Sequence, residues 1–320
     1  MIMNDIVTVL KSSNTICIMP HVYADGDAIG SSLALGLALM KLNKAVTVLT
    51  EEQIPLTYDF LYGRQLIEVY NVNSEEKKFD AVMTVDTGDL DRVGKRADIL
   101  KKGKTTVNID HHQTNTMFAC YNYVETNAAA VGEVIYQLIK LLGVEIDAEM
   151  STCLYVALAT DTGGFKYSNT TSITHQIAAD LINNGVNISE ISQRIFDTMS
   201  KEKVKLTGLA INSLEVLEGG KIAFITLTDD MMKSSGAKED DCDGIVNIGR
   251  NIDGIEVSVL FRQREDGCLK VNFRSKSFVD VSLIANIYSG GGHKRAAGCV
   301  IAGDLDEVKK RVLDEIKRVL

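Results

Sequence analysis

The residues best suited to chemistry in this 320-residue chain are acidic and histidine side chains that follow short apolar runs. In "HVYADGD", His21, Asp25 and Asp27 fall within seven residues, directly after the apolar run "TICIMP". Imidazole and carboxylate groups at this spacing are typical of a divalent-metal site, and Gly26 allows a turn that brings both carboxylates inward. The alternative is a strand-to-helix turn capped by one aspartate, which would leave the other aspartate and the histidine unexplained.

The tripeptide Asp-Thr-Gly occurs twice, in "TVDTGD" at Asp86 and in "ATDTGGF" at Asp161. Two such copies supply the proton-sharing carboxylate pair of aspartic proteases, so that class has to be weighed. Aspartic proteases are almost wholly β, whereas Asp161 follows "STCLYVALAT", whose apolar residues recur at helical spacing. The sequence therefore disfavours a protease.

A third segment, "NIDHHQ", places Asp110, His111 and His112 just past another apolar run. Adjacent histidines on an irregular segment rarely share one role, so one is expected to bind metal while its neighbour contacts the substrate. The alternative is a pair of surface turn histidines. Together with Asp161, four separate segments present Asp or His at the ends of predicted elements.

The first half of the chain alternates strand-like runs with helical patterns. Such alternation predicts βαβ units and an α/β fold with a parallel sheet, and ligands of these sheets gather beyond the carboxyl ends of the strands. The predicted strands are 15–20, 45–50, 81–85 and 105–109, and the predicted helices are 28–42, 129–143 and 148–160.

In the second half of the chain, the sequence pattern changes at "EGGK". Residues 172–217 read as helical, and after them "KIAFITLT", "IEVSVLFRQ" and "CLKVNFRS" alternate with period two, with a hairpin turn at "REDG". This pattern predicts a smaller α+β domain. The predicted organisation is a domain at 1–185, a helical linker at 186–217 and a second domain at 218–320.

Composition and sequence pattern disfavour several classes of protein. The net charge of −9 disfavours tight binding to long duplex nucleic acid. No apolar run reaches the ~18–20 residues of a membrane span, and the start lacks the order of a signal peptide, so we expect a cytoplasmic protein without membrane contact. The six cysteines form no Cys-x-x-Cys pair, which disfavours structural zinc.

The motifs "HVYADGDAIGSS", "VDTGD", "IDHH" and "ATDTGGF" together resemble the DHH phosphoesterase superfamily. "YSGGGHKRAAG" at 288–298 is similar to the Gly-Gly-Gly-His signature of its C-terminal DHH-associated domain. The length and layout are closest to the branch of bifunctional oligoribonucleases and 3′-phosphoadenosine 5′-phosphate (pAp) phosphatases. The resemblance implies an active site in the cleft between the two domains.

The resemblance also implies two divalent metal ions, usually Mn²⁺, with Mg²⁺ or Co²⁺ as alternatives. Two such ions would offset the repulsion among converging aspartates and would activate the attacking water. By position the ligands would be His21, Asp25 and Asp86 for one metal, and Asp27, Asp86, His111 and Asp161 for the other.

Three residues are expected to take part in catalysis on the same basis. Asp86 would bridge the metals, His112 would contact the phosphate or the leaving group, and Asp110 would orient a histidine.

The C-terminal domain is expected to bind the substrate. Between residues 255 and 300, seven Lys/Arg stand against four Asp/Glu in an otherwise acidic chain, and arginine suits bidentate phosphate contact. The glycine run offers backbone amides as an anion nest, although Gly290 alone would equally suit a helix-ending turn. The candidate contacts are Arg262, Arg274, Ser275, Gly291, Gly292, His293 and Arg295.

The expected function is Mn²⁺-dependent hydrolysis of short oligoribonucleotides, of dinucleotides such as pApA, and of pAp. An inorganic pyrophosphatase or exopolyphosphatase of the same superfamily is the first alternative, and a non-catalytic nucleotide-binding protein is the second. A homodimer is also expected.

Overall fold

The computed structural model describes residues 2–264 and 266–320. Glu265, in the predicted hairpin turn, lies outside the described residues. The chain divides into two compact units, Met1–Thr198 and Met199–Leu320. The division into 1–185, a linker at 186–217 and 218–320 stays a prediction.

A parallel sheet forms the centre of the first unit, as the alternating pattern predicted. Its strand order is β3-β2-β1-β4-β5-β6. The two short strands β3 and β6 were not predicted, because "IEV" and "YNYV" carry too few apolar residues to stand out. The strands are β1 Thr15–Pro20, β2 Ala45–Thr50, β3 Ile67–Val69, β4 Ala81–Val85, β5 Thr106–Asp110 and β6 Tyr121–Val124.

Helices flank this sheet, and the three predicted from the first half of the chain are confirmed. Short 3₁₀ turns lie at Leu56–Tyr58, Arg64–Leu66, Val72–Glu76 and Asp91–Arg96. The helices of the first unit are α1 Ile2–Ser12, α2 Gly26–Lys41, α3 Ala97–Lys102, α4 Val131–Leu142, α5 Ala148–Asp161, α6 Ser172–Asn183 and α7 Ile188–Ile195.

Both faces of the parallel sheet are buried. In β1, Ile16 and Ile18 belong to the larger core with α2, α4 and α5, whereas Cys17 and Met19 belong to a smaller cluster that includes Ile99 of α3. Covering both faces explains why the strand is a continuous apolar run rather than an alternating one. Burial of each such side chain contributes roughly 1.5–3 kcal/mol.

The second unit has a mixed sheet with strand order β11-β12-β10-β9-β8-β7, in which β8 and β9 are parallel. The period-two runs form β8, β9 and β10 as predicted. The helix expected to continue to residue 217 ends earlier, and a strand follows it. The strands are β7 Glu215–Leu217, β8 Ile222–Leu227, β9 Val257–Gln263, β10 Cys268–Ser275, β11 Gly291–His293 and β12 Ala296–Ala302.

The helices of the second unit cover its sheet and enclose two clusters of buried side chains. Among residues 2–264 and 266–320, no helix combines the length and apolar character that a bilayer crossing demands. The 3₁₀ turns here are Glu218–Gly220 and Glu239–Cys242, and the helices are α8 Lys201–Asn212, α9 Asp229–Ser235, α10 Val246–Arg250, α11 Val281–Ile287 and α12 Leu305–Lys317.

Candidate active site

The acidic and histidine segments meet at the carboxyl edge of the parallel sheet. His21 follows β1 and Asp86 follows β4, while β5 ends at Asp110. These three strands are neighbours in the sheet, so their ends converge. In the part of the chain that the structure describes, possible ligand atoms within 4.8 Å of one another form three groups: His21, Asp25 and Asp86; Asp27, His111 and Asp161; and Asp86, His111 and His112.

Asp86 lies at the centre of these groups and is 2% exposed. Its Oδ2 is 3.7 Å from His21 Nε2, and its Oδ1 is 3.6 Å from both His111 Nε2 and His112 Nδ1. Oδ1 is buried without a hydrogen-bond partner. The backbone of Asp86 is left-handed, with φ +57°, and such strain in a non-glycine residue is concentrated at functional sites.

Two of the histidines present the same ring nitrogen to this centre. His21 Nδ1 is 2.7 Å from Val22 O, and His111 Nδ1 is 3.0 Å from Ala128 O. A carbonyl oxygen only accepts, so Nδ1 donates to it, and Nε2 is the nitrogen that faces the carboxylates. His111 Nε2 is 3.3 Å from Asp161 Oδ2. Both imidazoles are thus oriented as metal-binding histidines are.

Asp25 combines the two roles that its sequence context suggested. Its Oδ1 caps α2 by accepting from the backbone N–H groups of Asp27 and Ala28, each at 3.1 Å. Its Oδ2 is 3.8 Å from His21 Nε2. The capping interpretation is therefore correct for this residue, and it leaves the second oxygen available to the site.

Asp27 is fully buried and is held by the N-terminus of α4. Its Oδ2 accepts from Val131 N at 2.6 Å, and its Oδ1 accepts from Gly132 N and Ser31 Oγ, each at 2.9 Å. Burial nevertheless raises the pKa of Asp27 to about 6, against the lowering effect of His111 and these donors. The first turn of α4 is a favourable place for a carboxylate.

The crowding of carboxylates has an electrostatic cost. Burial raises the pKa of Asp86 and of Asp161 well above the usual range, and the charges of Asp27 and Asp25 raise both further. A divalent cation would remove this repulsion and would give Asp86 Oδ1 a partner. The mixed imidazole and carboxylate donors suit a divalent transition metal, so the residues fit the metal that the motifs imply. The individual ligand roles stay predictions.

His112 is held by Asp110, the residue expected to orient a histidine. Its Nδ1 donates to Asp110 Oδ1 at 2.7 Å. Burial acts to raise the pKa of Asp110, but the hydrogen bond and charge of His112, with other donors, lower it. Asp110 thus remains a carboxylate that orients the ring. His112 also approaches Asp86 and His111 closely enough to form a metal-ligand group, a placement its expected substrate role did not include.

Sequence reasoning missed a buried amide network beside this pair. Asn108 lies within β5 and is fully buried, and its Nδ2 donates to Thr84 Oγ1 at 2.9 Å. Asn115 donates to Asp110 Oδ2 at 2.6 Å. The signal was present in "TTVNID", because a single amide inside an apolar strand has to be hydrogen-bonded when it is buried.

The candidate substrate residues lie in the second unit, and several already have partners there. Arg262 of β9 donates to Glu239 Oε1 at 2.6 Å, and Arg274 of β10 donates to Phe273 O at 3.0 Å. Arg295 donates to Val279 O at 2.7 Å. Ser275 is buried, and its hydroxyl donates to that same carbonyl at 2.6 Å. Because that hydroxyl is engaged within the fold, Ser275 has less to offer a substrate than the arginines.

The glycine run has a packing reason that the sequence did not show. Gly291, Gly292 and His293 form the edge strand β11, which is exposed and pairs with β12. A Cβ on Gly290 would lie 2.3 Å from Gly298 O, and Gly292 has φ +138°, so both positions require glycine. The expected contact of this run with substrate stays a prediction.

Two family models together match most of the chain. Residues 15–158 match the model of the DHH family, N-terminal domain, and residues 219–320 match the DHHA1 domain.

Relatives match over nearly the full length. A Thermus thermophilus protein named bifunctional oligoribonuclease and PAP phosphatase NrnA is 35% identical over 98% of this chain and 93% of its own. A Bacillus subtilis protein of the same name is 28% identical over 93% of this chain and 92% of its own. The crystal structure of an exopolyphosphatase-related protein from Bacteroides fragilis has a TM-score of 0.94 at 26% identity, covering 99% of this chain and 96% of that one.

Proposed function

This chain belongs to the DHH family, with a DHHA1 domain at its C-terminal end, and we propose that it is a Mn²⁺-dependent hydrolase of short oligoribonucleotides and of pAp. It acts on phosphoester bonds, the reaction that its curated relatives are named for. The single observation that best supports the proposal is the buried, unpartnered Oδ1 of Asp86 among three groups of metal-binding side chains.

The two proposed metals would share Asp86. His21, Asp25 and Asp86 would hold one metal, and Asp27, Asp86, His111 and Asp161 would hold the other. When bound, two divalent ions lower the pKa of water and stabilise the charge that develops on the attacked phosphate.

The protein's own contribution lies in its histidines and carboxylates. Asp110 holds the proton on His112 Nδ1, which leaves Nε2 to contact the phosphate or the departing oxygen of the substrate. Val22 O and Ala128 O fix the rings of His21 and His111 in the same manner. Because each ring is held before substrate arrives, little reorganisation is required during the reaction.

The substrate assignment is supported by the relatives and by the charge of the second unit. Both named relatives are oligoribonucleases and PAP phosphatases. We propose that Arg262, Arg274, His293 and Arg295 bind the far phosphate of a short substrate, with Gly291, Gly292 and Ser275 in support. Arg274→Ala should then raise KM for pAp much more than it lowers kcat.

A second candidate function is hydrolysis of inorganic polyphosphate or pyrophosphate. It is favoured by the exopolyphosphatase-related Bacteroides protein, whose structure matches this one with a TM-score of 0.94. The same groups of candidate metal ligands would serve that reaction. A direct comparison of substrates is therefore needed to decide between the two candidate functions.

The test offers purified protein pAp, pApA, a five-nucleotide RNA, pyrophosphate and polyphosphate in parallel, with Mn²⁺ or with EDTA. We expect turnover of the first three that EDTA abolishes. Preferred turnover of polyphosphate or pyrophosphate would support the second candidate, and no turnover of any substrate would support a non-catalytic nucleotide-binding protein. A cytoplasmic location and a homodimer stay predictions.

A further inference from the structure

We propose that Asn115, which no motif marks, is a positioning residue of the active site. Its side-chain amide fixes Asp110, and through Asp110 the ring of His112, in the orientation that hydrolysis requires. The inference rests on the proposed function for its kinetic consequence, but the positioning itself can be observed in the metal-free protein.

Asn115 uses both ends of its side chain. Its Nδ2 donates to Asp110 Oδ2 at 2.6 Å and to Asn108 Oδ1 at 2.8 Å, with Thr87 O at 3.3 Å. Its Oδ1 accepts from Met117 N at 2.7 Å. The oxygen therefore stabilises the loop after β5, while the nitrogen faces the site.

The carboxylate of Asp110 is held from two sides. His112 Nδ1 donates to Oδ1 at 2.7 Å and Asn115 Nδ2 donates to Oδ2 at 2.6 Å. Asp110 is fully buried, so loss of the Asn115 donor would leave Oδ2 poorly satisfied and would favour rotation of the carboxylate. Any rotation of the carboxylate would move its partner, His112.

The same network joins the segment that carries Asp86 to the segment that carries the histidines. Asn108 Nδ2 donates to Thr84 Oγ1 at 2.9 Å and to Thr87 O at 3.0 Å. Thr87 is next to Asp86, and Asn115 Nδ2 donates both to Thr87 O and to Asn108 Oδ1. The amides thereby fix the distance between neighbouring strand ends that the candidate metal ligands occupy.

Asparagine is required because the position needs a donor and an acceptor at once. Asn115→Asp retains the shape and the acceptor for Met117 N, but it removes the donor and places a second carboxylate against Asp110. If Asn115 only stabilises the loop, Asn115→Asp should behave like the wild type. If Asn115 positions Asp110, the same variant should lose that function.

The experiment compares Asn115→Asp and Asn115→Ala with the control Asn122→Ala. Asn122 also stabilises a loop, since its Nδ2 donates to Ala119 O at 2.6 Å and its Oδ1 accepts from Ala119 N at 3.0 Å, and both of these bonds are to Ala119 rather than to a candidate metal ligand. Each variant is measured for kcat and KM with pAp, for Mn²⁺ affinity, for thermal unfolding, and for the ¹H–¹⁵N resonances of the His112 ring in metal-free protein.

We expect both Asn115 variants to lose roughly 10- to 100-fold in kcat or Mn²⁺ affinity, the usual cost of removing a partner of a site residue, with little change in KM. The His112 resonances should shift in both variants and stay unchanged in Asn122→Ala, which should lower only the unfolding temperature. Wild-type kcat and unshifted His112 resonances in Asn115→Asp would overturn the inference. If the wild-type protein hydrolyses nothing, the proposed function fails, and the resonances alone decide the positioning role.

Discussion

Asp25 and Asp27 lie two residues apart, yet the fold gives them different surroundings. Asp25 is exposed and caps α2 with one oxygen, whereas Asp27 is buried against the N-terminus of α4. Their spacing from His21 was enough to predict a metal site. Which aspartate caps the helix could not be predicted, because that depends on where α4 lies, and α4 is more than 100 residues further along the chain.

The two roles of Asp25 can be separated by mutation. Asn caps helices about as well as Asp, whereas Ala loses about 1 kcal/mol at this position. Asp25→Asn should therefore unfold at nearly the wild-type temperature and Asp25→Ala at a lower one, while both bind Mn²⁺ more weakly. Thermal unfolding and calorimetric titration measure the two effects. Wild-type Mn²⁺ affinity in Asp25→Asn would exclude Asp25 from the metal site.

The buried carboxylate of Glu256 has a structural role. It accepts from the backbone N–H groups of Ser277, Phe278 and Val279 at 2.8–3.1 Å, and from the Ser277 hydroxyl at 2.6 Å. Burial acts to raise its pKa, but these donors outweigh burial and lower the pKa below its ordinary value of 4.5. Glu256 thus fixes the segment between β10 and α11.

This lowered pKa predicts an acid-dependent loss of stability. Folding favours the ionised form of Glu256. The stability that this carboxylate contributes is therefore complete above its pKa in the unfolded chain, and it is lost as the pH falls through its lower pKa in the folded protein. Glu256→Gln should cost about 2–3 kcal/mol at pH 7, and its difference from wild type should shrink below about pH 4. Unfolding measured against pH tests this, with exposed Glu307→Gln as the control. A difference that grows in acid would contradict the assignment.

At the scale of elements, close packing of α2 on α5 brings Asp27 near Asp161. A Cβ on Gly30 would lie 2.4 Å from Cys153 O and 3.3 Å from Ala157 Cβ. The small residues Gly30, Ser31 and Ser32 after "DGD" permit such close packing, but they do not identify its partner. Helix α5 follows α2 by more than 100 residues, and no local pattern identifies a contact at that separation.

Gly30→Ala should therefore destabilise the protein and weaken metal binding, because α2 has to move away from the backbone of α5. Gly36→Ala in the same helix is the matched control. Its Cβ would lie 2.9 Å from the flexible end of the Leu66 side chain and at ordinary contact distances, 3.6 and 3.7 Å, from Val46 and Val48. Alanine also gains up to about 1 kcal/mol of helix propensity over glycine. Calorimetric titration with Mn²⁺ measures the metal affinity of the two variants, and thermal unfolding measures their stability. Equal behaviour of the two variants would show that the α2–α5 contact does not position the site.

Elements with a strong apolar run or a clear periodicity were predictable, and short or weakly apolar strands were not. The runs that form β1, β4 and β8 are apolar enough to identify alone, whereas β6 is recognisable only beside β5. The glycine run was interpreted as an anion nest or a helix-ending turn, and no strand was predicted there, but Gly291, Gly292 and His293 form an edge strand that pairs with β12. Pairing with a neighbouring strand, which lies outside the segment itself, is the information that local patterns lack.

At the scale of the whole molecule, the two units have separate buried cores. The ordered motifs identified the family. "HVYADGDAIGSS", "VDTGD" and "IDHH" lie in the region that matches the DHH model and "YSGGGHKRAAG" lies in the region that matches the DHHA1 model, while "ATDTGGF" directly follows the first region. Asn108 begins the segment "NIDHHQ" but had no predicted role, and Asn115 lies two residues beyond that segment; their hydrogen bonds to Thr84 and Asp110 connect them to the site. The sequence predicted the chemistry of the site better than the contacts that support it.

The central claim is that Asp86 organises a metal-dependent phosphoesterase site, and phosphate release from pAp tests it most directly. Wild-type protein and Asp86→Asn are stripped with EDTA, dialysed, and assayed as Mn²⁺ is added back. We predict no release from the stripped wild type, activity that rises with added Mn²⁺, and none from Asp86→Asn at any Mn²⁺ concentration. Release by the metal-free wild type, or near-wild-type release by Asp86→Asn, would contradict the account.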